Sequence, residues 1–368
     1  MKIRSFQAIY PRLEFIASSD SFFSTVKGDY PEFKSSGFFH KAAQEGIYIY
    51  EIKSEQRSYF GVVATSDIQD YKNGKILKHE NTLPTSEQKQ LQLFFKRRAT
   101  VKPVLLTYPD VKSIDKWLKN YTQNNKPFLE IDFEIDHKKH RFWEVSEGSK
   151  ISELQKLFDK NVPLAYISDG HHRTSTSEII YDKTHKKDGD RYRYFLTAYF
   201  SFSNLEIYDF NRIAVGLNEH EPEVFIAKLS NCFSIKVVKK PTQPKTKFEI
   251  VMYFRKKWYR LKWKKRIINQ YQDQPAALDA NILNDKVLAN ILGIENVRTD
   301  KRIKYVEGLR GMDYFIKTVN ENQDSVGFLL YPVQWEDFLS VANAKSIMPP
   351  KSTWFEPRMK NGLLVHEP

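Results

Sequence analysis

Short apolar runs rich in aromatic and β-branched residues recur along the chain and are separated by polar turns, a pattern typical of β-strands. Pairs of such runs predict three β-hairpins, at residues 47–52 with 59–64, 192–200 with 205–210, and 248–254 with 258–263. Apolar positions at helical spacing predict helices at residues 84–98, 114–121, 151–158, 222–229, 275–292 and 335–344. Strands and helices interleave without a regular strand–helix–strand rhythm, so we predict an α+β fold with mixed β-sheets.

The length of 368 residues allows two domains. We predict an N-terminal α+β region over residues 1–200 and a C-terminal α+β region over residues 201–368. The segment 346–368 is irregular in pattern, but Trp354 and Phe355 are too apolar for a solvated end and nearby prolines restrict the backbone. We therefore predict that this tail folds back toward the N-terminal region.

Composition narrows the class of protein. A hydrophobic content of 41% with 14% aromatic residues describes a globular chain. Its single cysteine, Cys232, excludes an internal disulfide framework and favours a reducing compartment. The N-terminus has no apolar core of the signal-peptide kind, and no run approaches the ~20 apolar residues of a membrane span. From the sequence we expect a cytoplasmic protein without a membrane partner.

The charge balance indicates an anionic partner. Fifty-eight lysines and arginines oppose 45 acidic residues, for a net charge of +13. Such an excess suits a nucleotide, a phosphorylated metabolite or a nucleic acid. Basic runs such as 262–266 are spread along the chain, and a run of this kind is usually a solvated face.

The stretch 164–173 is the richest in candidate chemistry. An apolar run that predicts a buried strand stops at Asp169 and Gly170, a turn pair, and a helix is predicted to begin near Thr174. A glycine turn at a helix N-terminus exposes backbone N–H groups that attract phosphate. Arg173 would add a bidentate contact, and Asp169 could hold a metal or accept a proton. The alternative is a sharp surface turn whose two histidines are merely solvated.

Two further motifs contain candidate site residues. His79 and Glu80 begin like the zinc-protease pattern His-Glu-x-x-His, but Leu83 occupies its last position, so Glu80 is either functional or a solvated carboxylate. Neither a P-loop nor a dinucleotide-binding glycine motif occurs. Lys351 follows two prolines that cannot donate N–H groups, and we keep it as a candidate phosphate contact.

Four separated motifs carry a family resemblance. They are Lys78-His79-Glu80-Asn81-Thr82, Ser168-Asp169-Gly170-His171-His172-Arg173, Asp209-Phe210-Asn211-Arg212, and Met348-Pro349-Pro350-Lys351-Ser352-Thr353-Trp354-Phe355-Glu356-Pro357. In this order they resemble the bacterial and archaeal domain-of-unknown-function family one-thousand-fifteen over essentially the full chain. That family name assigns no activity.

The first two motifs also resemble those of free L-serine kinases of the ParB/sulfiredoxin-like superfamily. Those enzymes have a Lys-Pro-His-Glu segment with a catalytic glutamate and a phosphate-binding Asp-Gly-His-His-Arg turn. This chain departs from them at Leu77 and Lys78, and its two motifs are much further apart. The resemblance implies a ParB/sulfiredoxin-like phosphate-binding core followed by a C-terminal α+β half.

The implied activity is that of a small-molecule kinase that uses ATP or ADP and Mg²⁺, with free L-serine as the leading hydroxyl acceptor. The implied catalytic residues are Glu80, Asp169 and His172, with Asp169 also holding Mg²⁺ and His79 contacting the substrate. The implied phosphate or nucleotide contacts are Gly170, His171, His172, Arg173, Thr174 and Lys351. Two other readings stay open, a nucleotide-dependent nucleic-acid-binding protein of ParB-like type and a non-catalytic protein.

Overall fold

The computed structural model describes residues 1–368, which form two compact units. The first unit comprises Met1–Glu206 together with Pro357–Pro368, and the second comprises Ile207–Glu356. The sequence predicts a boundary at residue 200, with the whole remainder in one region. In the structure the chain enters the second unit after Glu206, and residues 357–368 return to the first.

The first unit is built on a nine-stranded mixed sheet. Its strands, with the separate β2–β3 pair, are β1 (Ile3–Arg4), β2 (Ile9–Pro11), β3 (Phe39–Lys41), β4 (Ile47–Lys53), β5 (Ser58–Asp67), β6 (Ile76–Leu77), β7 (Val104–Tyr108), β8 (Leu129–Phe133), β9 (Lys138–Val145), β10 (Ala165–Asp169) and β11 (Tyr194–Ser201). The sheet order is β6-β10-β7-β11-β5-β4-β9-β8, with β1 paired to β5. The helices are α1 (Ser19–Ser35), α2 (Ile68–Lys72), α3 (Pro84–Arg97), α4 (Lys112–Asn124), α5 (Gly148–Asn161) and α6 (His171–Asp188), with a 3₁₀ turn at Leu13–Phe15 and another at Phe202–Asn204.

The pairing of β4 with β5 confirms the first predicted hairpin. The second predicted hairpin, at 192–200 with 205–210, is wrong: β11 pairs antiparallel with β5 and parallel with β7. From Phe195 to Ser201 every residue of β11 is buried. Such a strand is stable in the middle of a sheet, where partners on both sides satisfy its backbone groups.

The second unit is also α+β, but its main sheet is entirely antiparallel. Its strands are β12 (Glu206–Tyr208), β13 (Phe210–Val215), β14 (Phe233–Val238), β15 (Glu249–Phe254), β16 (Lys257–Trp263), β17 (Ile303–Glu307), β18 (Ser325–Leu329) and β19 (Trp354–Glu356). The six-stranded order is β14-β16-β15-β18-β13-β17, while β12 pairs with β19. The helices are α7 (Pro222–Cys232), α8 (Lys265–Ile268), α9 (Asp279–Leu283), α10 (Gly311–Asn320) and α11 (Trp335–Asn343), with 3₁₀ turns at Asn269–Tyr271 and Gly308–Arg310. The β15–β16 pairing confirms the third predicted hairpin, and both units together confirm the α+β class with mixed sheets.

The helix predicted at 275–292 is shorter and less regular than its pattern suggests. It begins at Asp279 and continues as a π-helix over Asn284–Ala289. The Asp279 carboxylate accepts hydrogen bonds from the Trp263 indole at 2.9 Å and the Phe248 backbone N–H at 3.0 Å. These bonds connect the first residue of the helix to β16 and to the residue before β15, and residues 275–278 lie outside the helix.

The tail divides between the two units. Phe355 is buried in the second unit, with its ring 5.5 Å from that of Phe338. Residues 357–368 pack on the first unit, where Val365 bridges to Ile9 and His366 to Thr100. The predicted return to the N-terminal region therefore holds for residues 357–368, whereas the two aromatics proposed to drive it belong to the second unit. None of the helices combines the length and apolarity that crossing a membrane requires.

Candidate functional site

The edge of the first unit's sheet explains why two distant motifs meet. Strands β6 and β10 are parallel, with Ile76 opposite Ala165 and Leu77 opposite Tyr166. Parallel neighbours end at the same edge of a sheet, and the crevice outside their carboxyl ends is where open α/β sheets commonly bind ligands. The segment leaving β6 carries His79 and Glu80, and the turn leaving β10 carries Asp169 and Gly170.

The turn after β10 has a backbone that glycine allows. Gly170 has φ of +110°, in the left-handed region that a side chain makes costly. A Cβ atom at this position would also lie only 2.8 Å from Nη2 of Arg173. A bulge just before it, between Ile167 and Asp169, shifts the register against β7. Bulges of this kind re-aim side chains beside functional sites.

Helix α6 begins at His171, three residues earlier than predicted. Its first backbone bond runs from the Thr174 N–H to the Gly170 carbonyl at 2.9 Å. The N–H groups of His171, His172 and Arg173 therefore have no acceptor within the helix, and they lie at its positive end. Thr174 is 0% exposed and its hydroxyl donates to the Gly170 carbonyl at 3.2 Å, so its side chain stabilises the turn from inside.

Asp169 lies among three cations. Its carboxylate is 3.0 Å from Arg173 Nη2, 3.5 Å from Lys102 Nζ and 3.5 Å from Arg358 Nη1. Burial alone would raise the pKa of Asp169, but the positive charges of Arg173, Lys102 and Arg358 outweigh it and hold the pKa well below its usual range. Asp169 is therefore ionised at neutral pH.

His79 and His171 form a buried aromatic contact beside Glu80. The side chains are 2% and 7% exposed, and their rings meet edge to face with centroids 4.5 Å apart. Burial lowers the pKa of His79 to about 3, and burial followed by the neighbouring His79 lowers that of His171. Both imidazoles are neutral at pH 7. The approach of His171 Nδ1 to Glu80 Oε2, at 3.8 Å, is therefore a polar contact and not an ion pair.

A second glutamate connects the motifs and was missed by the sequence analysis. Glu87 on α3 accepts hydrogen bonds from Ser175 on α6 and from Thr82, both at 2.5 Å. These two bonds lower the pKa of Glu87. They fix the loop after Glu80 against the first turns of α6. Glu87 lies in the first turn of a predicted helix, where an acidic residue indicates only a favourable interaction with the helix dipole.

Two of the three cations around Asp169 were also not predicted from the sequence. Lys102 lies two residues before the start of β7, which runs antiparallel to β10 and so starts where β10 ends. Arg358 lies in the tail, from which the sequence analysis selected Lys351 instead. No local pattern marks either residue; each reaches Asp169 only through the fold.

Lys351 belongs to the second unit, whereas the other predicted site residues all belong to the first. Its ammonium lies 5.5 Å from the centroid of the Phe210 ring, and its backbone has φ of +56°. His172 is partly exposed in the first turn of α6. The structure thus brings together the candidates in the two N-terminal motifs, while the assignment of Lys351 to a phosphate stays a prediction.

The donor set around Asp169 does not fit a protein-bound magnesium ion. Mg²⁺ prefers carboxylate oxygens that are open to it. Here the carboxylate is engaged by three positive side chains, which would repel a divalent cation. Nowhere in the described chain do three or more His, Cys, Asp or Glu side chains form a metal-binding group.

Comparison with known proteins shows a match to one protein family. A family model described as "Protein of unknown function (DUF1015)" matches residues 6–281. No curated protein matches the chain. Among solved structures, SbnI with a C-terminal truncation from Staphylococcus aureus is similar at 11% identity and a TM-score of 0.43, covering 81% of this chain and 85% of that one.

A free serine kinase in complex with AMP is similar at 11% identity and a TM-score of 0.39, covering 82% of this chain and 92% of that one. A conserved hypothetical protein from Pyrococcus furiosus is similar at 10% identity and a TM-score of 0.39, covering 82% and 95%. TM-scores below 0.5 carry no conclusion about activity, so the ligands of these proteins are theirs alone.

Proposed function

We propose that this chain, which belongs to the DUF1015 family of proteins of unknown function, is a kinase acting on a small molecule. It transfers a phosphoryl group from ATP or ADP to a hydroxyl metabolite, with free L-serine as the leading acceptor. One observation carries the proposal: Glu80 lies beside the N-terminus of α6, with its Oε2 3.8 Å from His171 Nδ1, although the motifs are far apart in sequence. A partly exposed carboxylate next to a helix N-terminus combines a base with an anion site.

In this proposal the α6 N-terminus binds the donor phosphates. The backbone N–H groups of His171, His172 and Arg173 point out of the helix end, where the helix dipole also favours negative charge. Gly170, which has no side chain, leaves room for the Arg173 guanidinium beside this turn. Phosphoryl transfer depends mainly on positioning and charge neutralisation, which such a turn supplies.

Glu80 is the proposed general base. It takes the proton of the acceptor hydroxyl as the hydroxyl oxygen bonds to the terminal phosphorus, and the bond from that phosphorus to the bridging oxygen breaks. The nucleotide leaves with one phosphate fewer. Neutral His79 and His171 would hold Glu80 and the acceptor in place, with His172 near the transferred oxygens.

Asp169 is proposed to act through its neighbours. A carboxylate that stays ionised and is held by three cations is a poor proton acceptor, so its role is to fix Arg173 beside the turn. Magnesium, which this donor set does not fit, would enter bound to the nucleotide phosphates.

The test is a phosphoryl-transfer screen with ATP and ADP against hydroxyl metabolites that include serine. Glu80→Gln should lower turnover by about 10²–10⁴-fold while nucleotide affinity changes little, because the lost group acts in the transition state. Glu55→Gln, at an exposed turn between β4 and β5, is the matched control and should keep full turnover.

Two results would contradict the proposal. One is near-wild-type turnover of Glu80→Gln, which would make Glu80 a solvated carboxylate. The other is the absence of nucleotide binding in calorimetry with Mg²⁺ at low salt. Salt-dependent DNA binding in the same conditions would instead favour the nucleic-acid-binding alternative.

A further inference from the structure

A cavity of about 200 Å³ lies between α3 and α6 in the first unit. Its walls include Arg97 on α3, Lys102 before β7, and Arg173 and Thr176 on α6. Neither Glu80 nor Gly170 lines it. The cavity is therefore distinct from the proposed catalytic position, although Arg173 borders both.

The charged side chains that line the cavity are all positive. Lys27, Arg97, Lys102 and Arg173 are cationic, and no carboxylate lines the cavity. Lys102 and Arg173 share Asp169, which Arg358 also contacts. With Arg358, five cations lie in and around this cavity, and three of them share the single carboxylate of Asp169. Cations so close together destabilise one another unless an anion lies among them.

Unlike Lys102 and Arg173, Arg97 forms no ion pair with a carboxylate. Its guanidinium donates to backbone carbonyls, from Nε to Leu93 at 2.9 Å and from Nη1 to Lys27 at 3.2 Å. Burial, and then the charge of Arg173, lower the pKa of Arg97 to about 10. A guanidinium held by carbonyl groups beside another arginine retains an unneutralised charge that an anion would stabilise.

Two buried polar atoms at the cavity have no hydrogen-bond partner. They are the hydroxyl oxygen of Thr176, a residue only 5% exposed, and Nε of Arg173. Buried donors are nearly always satisfied in folded proteins, so an unsatisfied pair at a cavity wall points to a ligand that accepts hydrogen bonds.

We propose that this cavity binds a phosphate-type dianion, either inorganic phosphate or the phosphoryl group of a small metabolite. A dianion neutralises the excess positive charge better than a monoanionic carboxylate, and it accepts bonds from hydroxyl and guanidinium donors together. The volume is below the ~300–1,000 Å³ of pockets for drug-sized ligands, which fits a small anion. The inference goes beyond the kinase reaction, because binding here needs neither Glu80 nor turnover.

Calorimetry and thermal shift at constant ionic strength test it, with inorganic phosphate, O-phosphoserine and acetate as separate probes. Arg97→Gln should weaken phosphate binding by about 10–100-fold, the range for a charge-assisted hydrogen bond. Arg98→Gln makes the same chemical change at the next residue, which is exposed and does not line the cavity, and affinity should stay within about twofold.

Thr176→Val provides a second variant that keeps shape and charge. It should weaken phosphate binding by about 3–10-fold without lowering the melting temperature of the unliganded protein, because valine removes a hydroxyl that has no partner. Whichever of inorganic phosphate and O-phosphoserine binds more tightly identifies the source of the anion.

Three results would overturn the proposal: no phosphate binding by the wild-type protein, equal losses in Arg97→Gln and Arg98→Gln, or acetate binding as tightly as phosphate. Glu80→Gln separates the two proposals, since it should abolish most turnover and leave phosphate affinity in the cavity unchanged. If the protein proves not to be a kinase but still binds phosphate in an Arg97-dependent way, the proposed phosphate site in the cavity is supported all the same.

Discussion

Half-buried Asp169 in the first unit and fully buried Arg212 in the second are charges that are compensated by different means. Asp169 is surrounded by the side chains of Lys102, Arg173 and Arg358. Arg212 is 0% exposed; it donates to the backbone carbonyls of Phe210 at 2.8 Å and Lys351 at 3.4 Å, and its guanidinium lies 5.5 Å from the centroid of the Tyr305 ring.

The two environments differ in how they can respond to a ligand. Cationic side chains around Asp169 can turn toward an incoming anion, because each ends in a series of rotatable bonds. The carbonyl groups around Arg212 belong to the backbone and cannot be redirected. We therefore expect the surroundings of Asp169 to respond to ligand, salt and pH, and those of Arg212 to determine stability alone.

The largest expected effect is the loss of stability on substitution of Arg212. Arg212→Met keeps most of the side-chain volume but leaves two carbonyls without their donor, so the free energy of unfolding in urea should fall by about 3–5 kcal/mol. The control is Arg310→Met, which breaks an exposed contact with Glu307 and should cost less than about 1 kcal/mol. Equal losses in the two variants would show that the backbone does not depend on Arg212.

A somewhat smaller effect is expected at Asp169. Asp169→Asn keeps the shape and removes the one negative charge among three cations, so stability at low salt should fall by about 2–3 kcal/mol. Added salt should recover part of the loss by screening the cations, whereas Arg212→Met should not recover. Asp182→Asn, which breaks an exposed pair with Lys72, is the control. A salt-independent loss would refute the electrostatic explanation.

The smallest effect, over the range from pH 7 to pH 5, is a loss of stability in acid that should belong to the first unit. Burial lowers the pKa of His79 to about 3, so below pH 6.5 the unfolded chain binds a proton that the folded chain does not. Stability due to this group is therefore lost as the pH falls from about 6.5 toward 3, by up to about 1.4 kcal/mol per pH unit.

His79→Gln should remove that part of the slope, measured as the free energy of unfolding at pH 7, 6 and 5. His40→Gln, at an exposed position, is the control. An unchanged slope in His79→Gln would mean that His79 takes up its proton in the folded protein.

The sequence predicted the turn at Asp169 and Gly170 because its signals are local. A buried strand, a glycine that allows positive φ and a following helix can each be read within a few residues. The β4–β5 and β15–β16 hairpins were predicted for the same reason. The α6 start was placed three residues late, because polar residues suit a turn and a first helical turn equally.

The rest depended on pairings between distant segments. β6 has two residues, too few to show a period, yet its parallel pairing with β10 brings Glu80 to the turn. Lys102, Glu87 and Arg358 contact the site through strand order, helix packing and the returning tail. β11 was paired with its sequence neighbour, whereas burial on both faces selected β5 and β7 instead. Local patterns contain no information on such choices.

The return of the tail to the first unit sets an order of events during synthesis. Arg358 is separated from Asp169 by 189 positions in the sequence, and the second unit is encoded between them. At the ribosomal rate of 5–20 residues per second, Arg358 emerges roughly 10–40 s after Asp169. Throughout that interval the nascent chain holds its carboxylate with two cations instead of three, and Val365 is not yet available to bridge Ile9. The cluster around Asp169 is completed only after the ribosome has delivered the second unit.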